Sequence, residues 1–70
     1  MTVDEFHIYV CQRIKELRKE KGLTQFDLAT EIGIDDANLR KIESGKTNPT
    51  IKTIYRIAQA LQVNVQDLLP

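Results

Sequence analysis

Tryptophan is absent from the chain, cysteine and histidine occur once each, proline twice and glycine three times. A lone Cys11 excludes an internal disulfide framework. Charge of one sign is missing as well. The ten basic and ten acidic side chains cancel, so the composition lacks the basic surplus that is the usual footprint of a nucleic-acid binder. No apolar run approaches the roughly 20 residues that a bilayer span needs. The opening stretch MTVDEFHIY has no basic region followed by an apolar one, so nothing reads as an export signal and a cytoplasmic location is expected. Seventy residues hold one core, which points to a single domain over 1–70 and excludes a multidomain enzyme. A content of 41% hydrophobic and 29% charged residues is that of a globular chain rather than a disordered one.

The side chains of catalysis are equally scarce. A nucleophile needs a base held beside it, and the supply is His7, Cys11 and Ser44. His7 and Cys11 stand four apart, yet a closed zinc site wants four ligands and nothing nearby completes it. No metal and no cofactor are expected, and Cys11 reads as a small, half-buried apolar residue. Asp35 and Asp36 are adjacent rather than three or four apart, so they do not converge as a catalytic pair. They belong at the positive N-terminal end of a helix. No glycine-rich phosphate loop or redox motif occurs. Enzyme chemistry is not expected, and no small-molecule ligand is evident.

What is present is a run of helical signals. Gly22 follows KELRKEK, Gly33 follows DLATEI and Gly45 follows LRKIES, and each is read as a helix stop. Matching starts are Thr2 with Glu5 in a capping-box pattern, Thr24 before QFDLATEI with Asp27 three residues on, and Asp35 before DANLRKIE. Thr50 caps IKTIYRIAQAL, and Asn64 caps a last short VQDLL. Five helices result, and no alternating run competes as a strand. In the first helix, about residues 3 to 21, Phe6, Val10, Ile14 and Leu17 form one stripe expected to face the core. Ile51, Ile54, Ile57, Ala58 and Leu61 form a similar stripe in the fourth helix, with Lys52 and Arg56 on its other side.

Charge is uneven along the chain. Residues 13 to 21 carry Arg13, Lys15, Arg18, Lys19 and Lys21 against Glu16 and Glu20, and residues 40 to 56 carry Arg40, Lys41, Lys46, Lys52 and Arg56 against Glu43. Taken alone, either stretch reads as a solvated helix face. The segment between them has more to say. Ala29 lies four before Gly33, Ile34 follows it, and Leu39 and Ile42 come six and nine residues after the glycine. Two short helices crossing steeply need a small residue where backbones approach, a glycine in the turn and apolar residues fastening the second helix.

On these residues the sequence resembles the helix-turn-helix domains of the phage repressor and Cro family, also called Xre-type regulators. The resemblance runs from RIKELRKEKGLTQ through LATEIGI, LRKIESGKTNPTI and IAQALQV to LL, about residues 13 to 69. It implies an all-α, compact five-helix domain whose third helix, residues 36 to 43, enters the major groove while the second lies across the backbone. At about 100° per residue, Leu39 and Ile42 mark the buried side of that helix. Ala37, Arg40 and Lys41 then face away, with Asp36 and Asn38 on the flanks. Arg and Lys suit guanine and Asn suits adenine. The expected base contacts are therefore Gln25, Asp36, Ala37, Asn38, Arg40 and Lys41. Asp36 is discordant, since a carboxylate there approaches phosphates unless it accepts from a cytosine amino group.

By the same resemblance, Thr24, Gln25, Ser44, Lys46, Thr47 and Asn48 contact phosphates, which fixes register without reading sequence. Capping explains Thr24 and Gln25, and a turn explains Asn48 with Pro49, equally well. Arg18 and Glu43 are expected to form a structural ion pair between the first and third helices, as the family implies for these positions. Sequence logic agrees, because Arg18 borders the Ile14 and Leu17 stripe and Glu43 follows Ile42. A homodimer is expected, with Val63, Val65 and Leu69 at its interface, as family members place theirs, and Ile8 as a second exposed apolar candidate. It would read an inverted-repeat operator in double-stranded DNA as a transcriptional regulator, a repressor, bacterial or phage-encoded. The alternative on the same fold is a protein-interaction or antitoxin-like module with weak or no DNA binding, which zero net charge and Asp36 favour.

Overall fold

Three of the four α-helices begin where a threonine side chain stands in for a missing backbone partner. In the computed structural model, which describes residues 1–70, α1 spans Val3–Glu20, α2 Gln25–Ile32, α3 Asp36–Glu43 and α4 Ile51–Leu61. Thr2 and Thr24 form complete capping boxes: each hydroxyl accepts the N–H three residues on, and the Glu5 or Asp27 carboxylate accepts the threonine's own N–H at 2.9 and 3.0 Å. Thr50 accepts from the Thr53 N–H at 3.1 Å. Asp35 occupies the cap position of α3 with extended backbone but makes no side-chain cap hydrogen bond. Its assignment as an acceptor is corrected on that point.

The ends share a single device. Gly33, at φ 77°, turns left-handed after α2, so that its N–H donates to Thr30 O and the Ile34 N–H to Ala29 O. The same pair of bonds closes α1 at Gly22 and α3 at Gly45. It also closes α4, where Gln62 takes the left-handed position at φ 59° although it is not a glycine.

A cluster of twelve buried residues forms the core. α1 contributes Val10, Ile14 and Leu17, α2 Leu28, Ala29 and Ile32, and α3 Leu39 and Ile42. α4 adds Ile57, Ala58 and Leu61, and Leu68 closes the cluster. The last segment is not a fifth α-helix. Val65–Leu68 is one 3-10 turn, as suits four residues that cannot offset the cost of nucleating an α-helix. It is tied to α1 by the Arg13 Nε–H bond to Asp67 O at 2.9 Å.

Three burial expectations need correction. Phe6 is 43% exposed and Ile51 88%, because α1 before Val10 and the first turn of α4 lie at the edge of the core, where no other element covers them. Cys11 is fully rather than half buried, at 1% exposure, and burial pushes its thiol pKa up. No helix is long and apolar enough to cross a membrane.

Candidate nucleic-acid interface

α3 is anchored by Leu39, Ile42 and Glu43, all buried, which leaves Asn38, Arg40 and Lys41 exposed. A shallow concavity opens along this face. Its walls are Lys15 from α1, Gln25 from α2, Ala37, Arg40 and Lys41 from α3, and Ser44 and Lys46 from the following loop, with Glu43 beneath. Four cations thus meet in one hollow of a chain whose net charge is zero. The only acid lining it is already engaged.

That engagement ties three elements together. Arg18 Nε donates to Glu43 Oε2 at 2.7 Å and its Nη2 to Oε1 at 3.1 Å. The same guanidinium donates through Nη1 to Leu23 O at 2.8 Å. Gln25 Nε2 adds a bond to Glu43 Oε1 at 3.0 Å. Both charged groups are buried, and a two-pronged arginine–carboxylate geometry fixes orientation as well as charge. Gln25 is therefore held at the rim of the hollow by the carboxylate that pins α3 to α1.

Of the expected contact residues, Gln25, Ala37, Arg40, Lys41, Ser44 and Lys46 come together in the hollow. Ser44 donates its hydroxyl to Lys41 O at 3.1 Å. Asp36 and Asn38 stand on the flanks of α3. Asp36 accepts from Arg40 Nη1 at 3.1 Å. Thr24 spends its hydroxyl on the α2 cap, and Asn48 lies with Pro49 beside a different surface.

Sequence reasoning passed over two residues. Lys15 joins the hollow, and its spacing of three from Arg18 on α1 was a usable signal. His7 Nε2 donates to Thr47 O at 2.9 Å and so ties the start of α1 to the loop between α3 and α4. Nothing in the sequence announces a contact across 40 positions. His7 and Cys11 do not share a ligand, since one reaches this loop and the other is buried. No three His, Cys, Asp or Glu side chains converge as a metal site.

The other surface is an apolar groove. Val3, Phe6 and Val10 of α1 form one side, Ile51, Ile54 and Tyr55 of α4 the other, with Val65 and Leu69 at its end. Val63 and Val65 are partly buried against the core, while Leu69 is 39% exposed and Ile8 48%.

A family model described as helix-turn-helix matches residues 14–68. The chain belongs to the helix-turn-helix family. Its α2, the turn at Gly33 and α3 are the motif, and Arg40 and Lys41 lie on the outer face of the motif's second helix. Among similar helix-turn-helix proteins is the transcriptional regulator DdrOP3 of Deinococcus deserti, 38% identical over 60 residues, covering 86% of this chain and 46% of the relative. SinR of Bacillus subtilis is 41% identical over 61 residues, 86% of this chain and 55% of SinR. The chain therefore spans about half the length of these two curated relatives. A crystal structure of SinR in complex with DNA superposes with a TM-score of 0.78 at 38% identity, covering 84% of this chain and 95% of that one. The restriction-modification controller protein C.AhdI of Aeromonas hydrophila superposes with a TM-score of 0.85 at 34% identity, covering 89% and 94%.

Proposed function

We propose that this chain is a sequence-specific double-stranded DNA-binding transcriptional regulator, a repressor of bacterial or phage type that acts in the cytoplasm by occupancy and not by chemistry. The observation that carries this reading is the cationic hollow on the open face of α3. Lys15, Arg40, Lys41 and Lys46 gather there while the acids of a neutral chain lie elsewhere or, like Glu43, are paired. The relatives named as regulators and the neighbour solved on DNA support it. α3 enters the major groove, Arg40, Lys41 and Asn38 face base edges, and Gln25, Ser44, Lys46 and Thr47 take phosphates.

The active form is a homodimer on an inverted-repeat operator, with half-sites about one helical turn apart. One short helix touches few base pairs, and a neutral monomer has little long-range attraction to DNA, so two linked copies are needed. Val65 and Leu69 belong to the apolar groove and, with Val63, form the twofold contact. A purely protein-binding module is the competing reading, and the groove is what favours it.

Retention on mixed-sequence DNA at low salt separates the two. Each phosphate neutralised contributes about −0.9 to the slope of log affinity against log salt, so retention should fall steeply as salt rises. Lys46→Ala should weaken every sequence alike, and Lys41→Ala should relax preference at one base position. A parent chain that passes through DNA unretained at low salt removes the DNA reading.

A further inference from the structure

Asp36 places a negative charge on the helix that faces DNA, where it weakens attraction to phosphate. Stability is not what it adds: the pair it makes with Arg40 is one exposed i,i+4 contact, with side chains 56% and 48% exposed, and such pairs contribute little. What the contact does alter is the arginine. Arg40 lines the cationic hollow and Asp36 does not, so the carboxylate bonds the arginine from outside the hollow.

The bond uses Nη1, which donates to Asp36 Oδ2 at 3.1 Å. The edge formed by Nε and Nη2 has no protein partner and offers two parallel N–H donors. Two parallel donors are what O6 and N7 of guanine accept. An untethered arginine loses much rotamer freedom when it is fixed on a base, and a tethered one has lost part of it beforehand. The paired charge is also nearly neutral at long range, so Arg40 adds little to binding where no guanine is met. Resting on the DNA reading above, we infer that Asp36 is a specificity-determining positioning residue. It touches no base, and it orients Arg40 to read guanine while lowering affinity for DNA in general.

The test compares the parent with Asp36→Ala, Asp36→Asn, Arg40→Ala and the double alanine variant, each on DNA selected by the parent from a random pool and on mixed-sequence DNA. Arg40→Ala should relax preference at one base pair by about tenfold, and Asp36→Ala should relax it at the same base pair by about twofold, as suits the loss of an exposed tether. Asp36→Ala should at the same time bind mixed-sequence DNA more tightly than the parent. The double variant should be no more relaxed than Arg40→Ala, and Asp36→Asn, which keeps an acceptor for Nη1, should recover part of the preference. Because both side chains are half exposed, the variants should melt close to the parent, which guards against a folding artefact. A preference lost at a different base pair would mean that Asp36 reads a base itself and would overturn the inference. A uniform gain on all sequences with preference intact would reduce Asp36 to simple repulsion and overturn it too. Both results leave DNA binding standing, whereas a parent unretained on any DNA at low salt overturns both readings.

Discussion

Glu43 accepts three hydrogen bonds from two other helices while only 5% of its surface is exposed. A buried ion pair contributes modestly as a pair, but removing one member leaves the other charge without water or partner. Glu43→Ala should therefore cost about 3–5 kcal/mol, a large part of the roughly 5–15 kcal/mol that holds a small domain together. Urea unfolding measures it, and a loss below about 1 kcal/mol would show that Arg18 finds water or a new acceptor. Gln25 shares the same carboxylate. The variant should thus also loosen the rim of the cationic hollow, visible as broadened Gln25 side-chain amide signals. Stability and the geometry of the reading face meet in this single side chain.

The helices depend on their first turns in a way that pH exposes. The Thr2 and Thr24 backbone N–H groups and hydroxyls hold the Glu5 and Asp27 carboxyls below their ordinary values. A carboxyl whose pKa is lower folded than unfolded stabilises the fold while ionised. Its contribution is complete above the ordinary carboxylate range and is lost as pH falls through the lowered value. The protection of amides at the start of α2, measured against their intrinsic exchange rate at each pH, should accordingly fall on acidification. Asp27→Asn should remove that pH dependence from α2 and leave it at α1, whereas an α2 start equally protected at neutral and acid pH would contradict the capping role. These starts were legible from the sequence because a cap acts within four residues, as were the stops at Gly22, Gly33 and Gly45. Gln62 carried no such signal, since it takes the left-handed position, with the Val63 N–H bonded to Ala58 O, without the glycine that marks the other three stops. Periodicity likewise marked Phe6 and Ile51 as apolar-stripe members, but it says nothing of where the neighbouring element ends. In the candidate site, Arg40 and Lys41 followed from the buried Leu39 and Ile42, because one face of a short helix defines the other. The Asp36–Arg40 bond had a local signature in its spacing of four along the helix, whereas the His7–Thr47 bond is one of tertiary approach and had none.

Across the whole molecule, five of the nine large apolar residues that stand exposed gather at one place. Val3, Phe6, Ile51, Tyr55 and Leu69 are all exposed and all border the one groove, and apolar patches of this kind mark contact surfaces. A second copy seated there would bury Ile51, which adds nothing to the monomer core at 88% exposure. Ile51→Asp should then shift sedimentation toward monomer and weaken operator binding while the monomer remains as helical as the parent. A parent that stays monomeric at high micromolar concentration would refute the dimer. Cys11 makes the core itself a clock. A thiol at 1% exposure meets a water-borne disulfide reagent only in molecules that have opened, so modification proceeds at the opening equilibrium multiplied by the rate for a free thiol. DNA that binds the closed form alone should lengthen the half-time by one plus the ratio of free DNA to its dissociation constant, about a hundredfold at a hundred times that constant. A chain with no tryptophan thus carries its own label-free counter of how often it comes apart, and of how firmly a bound operator keeps it shut.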